Sequence, residues 1–279
     1  MIVSQEKITS RQNRLVVETG KLSDRKERSA RGRFRFDGIK LFSEAVEKGV
    51  SIERVLVSES KAARILGQIQ CHSACGALAN ATVHILADDV FAKVSEEQSP
   101  EGILTVAAFP KFHVTGAQSR ELLADTLAHP QQSVLLLESV RDPGNVGTIL
   151  RSAAAFGIGC VAVSADCADI YNAKTIRGAM GALFRMRIAS FGDITEAVAL
   201  LRAGGRRVYA AALDPEAMKL GTSMLRRGDC VVVGNEGHGL SKATIAACDR
   251  SLYIPMEAGS ESLNAAIAAS VILWNMYGG

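Results

Sequence analysis

Three short motifs in the second half of the chain combine glycine-rich turns with polar side chains that could bind a phosphate or orient a hydroxyl group. They cover residues 142–151 (DPGNVGTILR), 234–241 (GNEGHGLS) and 254–264 (IPMEAGSESLN). Each motif follows or closes an apolar, strand-like run and leads into a helix-like segment. Open α/β sheets bind their ligands at the carboxyl ends of parallel strands. The three motifs therefore predict one common site.

The side chains best suited to chemistry within these motifs are Asn145, Arg151, Glu236, Ser262 and Asn264. An arginine can hold a phosphate through its fork of N–H donors, and a carboxylate can keep that guanidinium aligned. Because a guanidinium keeps its proton far above neutral pH, Arg151 is a poor general base. The plainer alternatives are a surface salt bridge for Arg151, a helix N-cap for Ser262 and a capping role for Glu236.

The charge of the chain is unevenly distributed. Residues 1–40 contain eleven Lys or Arg and five Asp or Glu, whereas the net charge of the whole chain is only +3. A basic segment on a nearly neutral body suits a polyanion, because each neutralised phosphate releases counterions. Arg31, Arg33 and Arg35 are the predicted contacts to that polyanion, and the alternative is a solvated face that only aids solubility.

The composition, 48% hydrophobic and 22% charged residues, is that of a soluble globular protein. No apolar signal core or run of about eighteen apolar residues is present, so we expect a cytoplasmic protein. The six cysteines are scattered and expected to be reduced. We expect no metal, because the Cys and His residues of segment 71–75 have no second cluster at zinc-finger spacing.

Helix-like and strand-like segments alternate along the chain, which predicts an α/β fold. We expect a small α/β domain over residues 1–112, a linker over 113–130 and a larger domain over 131–279. The alternation in the larger domain predicts a parallel sheet covered by helices on both faces. Connectivity rules alone favour an unknotted sheet. A standard dinucleotide-binding site is not expected, because no G-x-G-x-x-G follows a strand.

The three motifs, in this order over residues 131–279, resemble those of the SpoU (TrmH) family of RNA ribose 2′-O-methyltransferases, a branch of the SPOUT superfamily. The resemblance implies S-adenosylmethionine as cofactor, a trefoil knot that binds it, and a homodimer. The N-terminal part resembles the small RNA-binding modules, related to ribosomal proteins, that many members carry. The resemblance therefore implies that the contacts of Arg31, Arg33 and Arg35 are to RNA.

The resemblance also assigns roles to individual residues. It implies that Arg151 contacts the substrate phosphate and hydroxyl, that Glu236 orients Asn145 and Arg151, and that Ser262 and Asn264 shape the catalytic pocket. We favour phosphate binding and stabilisation of the developing alkoxide for Arg151, with a phosphate oxygen or water taking the proton. The residues implied in cofactor binding are Gly234, Ile254, Met256 and Leu263.

The predicted function is methylation of a ribose 2′-hydroxyl in RNA, with ribosomal RNA favoured because of the extra N-terminal domain and its basic segment. One alternative is the same chemistry on transfer RNA. Another is a non-catalytic RNA-binding or ribosome-assembly factor. The presence of the full set of catalysis-capable residues disfavours this last alternative.

Overall fold

The computed structural model of the chain describes residues 1–4, 6–72, 75–221, 225–235, 237–257 and 262–278. The strands are β1 (Ile2–Val3), β2 (Arg33–Asp37), β3 (Ile52–Ser58), β4 (Thr82–Leu86), β5 (Ile103–Ala108), β6 (His113–Thr115), β7 (Val134–Leu137), β8 (Cys160–Ser164), β9 (Ile188–Phe191), β10 (Val208–Ala211), β11 (Met218–Lys219), β12 (Cys230–Val233) and β13 (Arg250–Tyr253). The helices are α1 (Arg14–Lys21), α2 (Arg25–Arg31), α3 (Ile39–Glu47), α4 (Ala62–Gln70), α5 (Asp88–Val94), α6 (Ala117–Leu127), α7 (Pro143–Ala155), α8 (Ala173–Ala179), α9 (Ile194–Ala203), α10 (Lys242–Ala247) and α11 (Ala265–Gly278).

The chain divides into two compact units. Unit 1 comprises Met1–Pro110 with Tyr171–Ile176, and unit 2 comprises Lys111–Ile170 with Arg177–Gly279. The sheet of unit 1 has the strand order β1-β4-β3-β5-β2. Strands β1, β4 and β3 are parallel, whereas β5 is antiparallel to both β3 and β2. Tyr171 is part of this unit because its ring stacks on that of Phe109.

The basic segment of unit 1 is folded into α2 and β2. The Asp24 carboxylate caps α2 by accepting from the amide of Lys26, and Gly32 ends the helix in the left-handed conformation. The alternation of Arg33–Asp37 is that of a strand, but the structure buries Arg35 within it instead of exposing it.

The prediction that Arg35 contacts RNA is corrected by the burial of its side chain. Its guanidinium donates to the carbonyl oxygens of Val94, at 2.7 Å, and Thr19, and it pairs with Glu96. A buried guanidinium can bind a phosphate only by leaving these partners, at a large desolvation cost. Arg31 and Arg33 are less buried and form ion pairs with Glu27 and Glu53.

Unit 2 is built on a parallel sheet, as predicted. Its strand order within the described residues is β11-β13-β10-β12-β7-β8-β9-β6, and every pair is parallel. The central strands β7, β8 and β12 are almost continuous apolar runs whose side chains are all buried. Such runs are typical of a parallel sheet with helices on both faces, because no strand face meets water.

Residues 113–130, which we predicted to be a linker, are instead part of unit 2. Strand β6 pairs with β9, with His113 opposite Ile188, and α6 packs against β9 and α9. Ser119 fixes the start of α6 by donating to the carbonyl oxygen of Ser190 at 2.8 Å. Long-range pairing at the edge of the sheet thus gives structure to a segment with a weak local pattern.

Helices α7 and α11 pack against each other behind the site. Asp142 caps α7 by accepting from the amide of Asn145 at 2.9 Å, and Pro143 occupies the first turn, where its missing N–H costs nothing. The hydroxyl groups of Ser152 on α7 and Ser270 on α11 lie 2.7 Å apart. Helix α11 is apolar on all sides, but none of the described helices has the length and apolarity needed to cross a membrane.

Candidate active site

The first and third motifs meet through two asparagine side chains. Nδ2 of Asn264 donates to Oδ1 of Asn145 at 3.0 Å. Asn145 lies in the first turn of α7, and Asn264 immediately precedes α11. Two residues that are 119 positions apart in the sequence are therefore in direct contact at the predicted site.

Asn264 has a second function at this position. Its Oδ1 accepts from the backbone amides of Ala266 at 2.9 Å and Ile267 at 3.3 Å, which caps the start of α11. One side chain thus fixes the helix end and, through its amide nitrogen, holds Asn145. Ser262 does not make this cap, so the N-cap alternative that we considered for Ser262 is wrong.

Arg151 lies farther along α7 and its side chain is exposed. It lies six positions after Asn145, which corresponds to about 9 Å along the helix axis. Within the described part of the chain, its guanidinium has no hydrogen bond or ion pair, so the surface salt bridge that we considered is not formed there. Glu236, its predicted partner, lies outside the described residues.

The second motif forms a tight turn between β12 and α10. The backbone of Asn235 donates to the Gly239 carbonyl at 3.1 Å and accepts from the Gly239 amide at 2.9 Å. A Cβ atom on Gly234 would lie 2.5 Å from the carbonyl carbon of Gly239, so glycine is required by this close approach. Ser241 then caps α10 by accepting from the amide of Thr244.

A cavity of about 140 Å³ lies at the carboxyl ends of β10 and β13, against α11. Ile254, Met256 and Leu263, which we predicted to bind the cofactor, line it, and so does Ser262, which we predicted to be catalytic. Gly234 is not among the described residues that line it. The remaining walls are Ala211, Ala212, Leu213, Leu252, Tyr253, Ala268 and Ile272.

Sequence reasoning missed the wall formed by residues 211–213. Strand β10 ends in these residues, and its register with β13 aligns Ala211 with Leu252. An apolar strand ending at the same sheet edge as the motifs was the available signal. The mainly apolar lining fits a flat, weakly polar ring such as adenine.

A polar cluster supports the end of β7 beside the first motif. Ser139 has a left-handed φ of 56°, and its amide donates to Oγ of Ser164 at 2.9 Å. The hydroxyl groups of Ser139 and Ser164 both donate to the Asp166 carboxylate, which lowers the pKa of Asp166 below its usual range. Arg141 lies 3.6 Å from this carboxylate. Sequence reasoning missed this cluster, which no motif indicates.

Neither a cluster of metal-ligating side chains nor a disulfide is found among the described residues. They contain no group of three or more His, Cys, Asp or Glu side chains that could hold a metal ion, although Ser73 and Ala74 of segment 71–75 lie outside them. The cysteines are unpaired. Burial raises the pKa of Cys160 and of Cys230 to about 12, so neither thiol is a nucleophile near neutral pH.

Comparison with known families matches both parts of the chain. Residues 132–274 match the SpoU rRNA Methylase family, and residues 13–105 match the MRM3-like substrate binding domain. The first match contains all three motifs, and the second contains the basic segment from residue 13 onward.

Individual relatives match over almost the whole chain. A 23S rRNA (guanosine(2553)-2′-O)-methyltransferase of Bacillus subtilis is 30% identical over 98% of this chain and all of its own length. A 23S rRNA (uridine(2479)-2′-O)-methyltransferase of Streptomyces viridochromogenes is 28% identical over 96% of this chain and 90% of its own.

Solved structures are similar in fold over the same extent. The crystal structure of an RNA 2′-O ribose methyltransferase superimposes with a TM-score of 0.76 at 26% identity, covering 97% of each chain. The SpoU methyltransferase AviRb of Streptomyces viridochromogenes, solved with AdoMet, superimposes with a TM-score of 0.78 at 25% identity, covering 96% of this chain and 98% of its own. With its three motifs at one edge of a parallel sheet and these matches over both units, the chain belongs to the SpoU rRNA Methylase family of S-adenosylmethionine-dependent methyltransferases.

Proposed function

We propose that this protein methylates a ribose 2′-hydroxyl group in ribosomal RNA. The observation that carries the proposal is the contact between Asn145 and Asn264, next in sequence to the residues that line the cavity. The two relatives described above, which match the chain over nearly its whole length, both act on 23S rRNA. Because those relatives modify different nucleotides, the proposal names the RNA class and not the position.

The cavity supports a specific set of cofactor contacts. Ile254, Met256 and Leu263 would hold the adenine of S-adenosylmethionine by apolar contact, and Gly234 would contribute backbone groups. When bound, the cofactor supplies an electrophilic methyl group on a positively charged sulfur. The reaction then requires the ribose oxygen to approach that methyl group in line, which is a matter of positioning.

Arg151 would act on the RNA. A guanidinium cannot serve as a base near neutral pH, but its fork of donors fits a phosphate oxygen pair. Its positive charge would also stabilise the alkoxide that develops as the 2′-hydroxyl loses its proton to a phosphate oxygen or a water molecule. The exposure of Arg151 and its lack of a partner among the described side chains leave the guanidinium accessible to RNA.

The remaining motif residues would orient these groups. Asn145 and Asn264 form a hydrogen-bonded pair that would orient the ribose, and Ser262 would present its hydroxyl at the cavity wall. Glu236 would align Asn145 and Arg151 through a charge-assisted hydrogen bond.

Unit 1 would recognise structured RNA through its basic face. Lys21, Arg25 and Lys26 lie at the end of α1 and the start of α2, are exposed, and have no ion-pair partner among the described side chains. Arg31 and Arg33 would exchange their exposed ion pairs with Glu27 and Glu53 for phosphate contacts. The match to a substrate binding domain supports this assignment.

The apolar face of α11 supports a homodimer. Ile267, Val271 and Trp274 follow the i, i+4, i+7 spacing of one helix face and remain exposed, Trp274 by 63%. Burying this face against a second copy would remove it from water. We also propose the trefoil knot of the SPOUT fold in unit 2, and a cytoplasmic location, where ribosomal RNA is available as substrate.

The test is methyl transfer from labelled S-adenosylmethionine to separate pools of unmodified ribosomal and transfer RNA, with the product mapped to ribose or base. We expect ribose labelling of ribosomal RNA, and a loss of roughly 100-fold or more in rate with Arg151→Ala. Labelling confined to transfer RNA would replace the substrate assignment. Labelling of a base would overturn the reaction.

A further inference from the structure

Arg141 is an exposed arginine between the end of β7 and the start of α7, and the first motif begins at the next residue, Asp142. Its side chain is 71% exposed. Within the described part of the chain, its one ion pair is with Asp166 at 3.6 Å, which is longer than a hydrogen bond. The proposed reaction uses the guanidinium of Arg151 and leaves that of Arg141 without a function.

The backbone that leads to Arg141 is held at several points. The Ser139 amide donates to Oγ of Ser164 at 2.9 Å, and the Ser139 carbonyl accepts from Nδ2 of Asn235 at 2.9 Å. The Val140 side chain is fully buried, and its carbonyl accepts from an amide of the loop after β8 at 2.9 Å. Because the capped start of α7 follows directly, an exposed side chain is attached here to a fixed backbone. Such an attachment reduces the conformational entropy that is lost when a ligand binds.

Asp166 does not depend on Arg141 for its charge. Its carboxylate accepts from the hydroxyl groups of Ser139 and Ser164, the latter at 2.6 Å. These two hydroxyl groups do most to lower the pKa of Asp166, and Arg141 does least. An exposed ion pair of this kind adds little to stability. The fold therefore gains little from the guanidinium of Arg141.

Arg141 and Arg151 lie on opposite sides of Asn145 along the chain. Arg141 precedes α7, and the helix rises by about 12 Å from Pro143 to Arg151. Asn145, which contacts Asn264 at 3.0 Å, is near the Arg141 end of this segment. An RNA strand carries a phosphate on each side of every ribose. A strand whose ribose lies at Asn145 can therefore present one phosphate to each arginine.

From this arrangement we infer that Arg141 binds a backbone phosphate of the RNA substrate beside the target ribose, a different phosphate from the one held by Arg151. The inference rests on the proposed function and extends it to a second contact in unit 2. A guanidinium fits a phosphate through its paired N–H donors. To make this contact, Arg141 leaves only a long, exposed ion pair with Asp166, which costs little.

The test compares Arg141→Ala with Arg120→Ala, using unmodified ribosomal RNA transcribed in vitro. Arg120 is the matched control, because it is 64% exposed, belongs to the same unit and forms an ion pair with Glu196. In Arg141→Ala we expect both the KM and the Kd for RNA to rise by about 5- to 10-fold. The slope of log K against log salt should fall by about 1, since one phosphate contact is lost. Arg120→Ala should change none of these quantities.

Two further measurements separate RNA binding from a structural role. In Arg141→Ala, kcat should stay within about threefold of the wild type, because the lost contact binds RNA and not the reacting atoms, and the midpoint of urea unfolding should not change. Arg141→Lys keeps the charge and should recover the salt slope but not the full affinity, because an ammonium group lacks the paired donors. A lowered urea midpoint with wild-type affinity for RNA would overturn the inference.

The outcomes also distinguish this inference from the proposed function. If the wild type methylates ribosomal RNA and Arg141→Ala has a wild-type KM and salt slope, only the inference is overturned. Equal losses of affinity in Arg141→Ala and Arg120→Ala would reflect the overall charge and would also overturn it. A wild-type protein that methylates no ribosomal RNA would overturn the proposed function, and the inference with it.

Discussion

At the scale of single residues, Asn264 illustrates how one amide serves stability and chemistry together. Its oxygen caps α11 and its nitrogen donates to Asn145. Because the two hydrogen bonds use different atoms, substitutions can remove them separately. The two functions are therefore open to independent measurement.

We expect Asn264→Ala and Asn264→Asp to differ in stability but not in their effect on activity. The alanine variant loses the cap and should lower the free energy of unfolding by about 1 kcal/mol, whereas aspartate is a good N-cap and should preserve it. Both lose the donor to Asn145, so kcat should fall at least about tenfold in each. Urea unfolding and methyl-transfer kinetics measure the two quantities. Full activity in Asn264→Asp would show that the contact is dispensable.

Asp37, at the end of β2, has a half-buried carboxyl group with a perturbed pKa. Burial raises its pKa to about 6, and the hydrogen bond from Ser95 only partly offsets this effect. Because the folded-state pKa lies above the unfolded value of 3.8, the folded protein binds more protons between these two values. The free energy of unfolding therefore falls as the pH rises from about 4 to about 6.

Replacing the Asp37 carboxyl group with an amide removes this titration. We expect Asp37→Asn to be more stable than the wild type at pH 8, by up to about 3 kcal/mol, with the difference largely gone at pH 4. Asp193→Asn is the control, because its backbone hydrogen bond lowers the pKa of Asp193 and predicts no gain at pH 8. Urea unfolding at both pH values measures the difference. An equal effect at both would point to packing instead of charge.

At the scale of elements, the turn after β12 depends on the close approach of two glycine backbones. A Cβ on Gly234 would overlap the backbone of Gly239 and Leu240 at 2.5 to 2.7 Å, where no flexible side chain can move aside. A Cβ on Gly237 would meet only Oδ1 of Asn235, at 3.4 Å, among the described atoms. The two glycines of the same motif are therefore sterically unequal.

We expect Gly234→Ala to destabilise the protein by more than about 2 kcal/mol and to lower Tm by several degrees, because the backbone must shift. Gly237→Ala should stay within about 1 kcal/mol of the wild type. Thermal unfolding of both variants gives the comparison. Equal Tm values for the two variants would show that the turn accommodates a Cβ atom at position 234 without loss of stability.

At the scale of the whole molecule, an exposed apolar helix face and a basic surface indicate two kinds of partner. The face of α11 suits a second copy, and the exposed cations of α1 and α2 suit RNA. Association with a second copy would depend on the apolar area buried, whereas RNA binding would depend on the salt concentration. Their tests differ accordingly.

We expect Trp274→Glu combined with Val271→Glu to shift the protein from dimer to monomer in light scattering after gel filtration. A charged carboxylate on that face must be desolvated for the dimer to form. The control is Val17→Glu, which places the same charge on the exposed face of α1 and should leave the mass unchanged. A wild-type protein that runs as a monomer would contradict the dimer.

For RNA binding we expect Arg25→Glu to weaken affinity and to reduce the slope of log K against log salt by about 1, since one phosphate contact is lost. Arg120→Glu makes the same charge change at an exposed arginine of α6, which pairs with Glu196, and should change neither quantity. Filter binding at several salt concentrations measures both. Equal slopes for the two variants would remove Arg25 from the RNA surface.

The sequence by itself determined the class of fold and indicated part of the candidate site. Apolar runs such as VLLL and CVVV indicate buried parallel strands, because these signals act between near neighbours in the chain. The three motifs include four residues of the cavity wall, Ile254, Met256, Ser262 and Leu263, and the Asn145–Asn264 pair, since parallel strands end at one edge of the sheet.

Only the tertiary structure decided which polar groups are hydrogen-bonded within the fold and which remain accessible to a ligand. It buries Arg35, pairs β6 with β9, adds residues 211–213 to the cavity wall, and turns Asn235 toward the Ser139 carbonyl. The physical reason is that burial, strand pairing and hydrogen-bond partners depend on residues distant in the sequence. The periodicity of a local stretch of sequence does not predict such contacts.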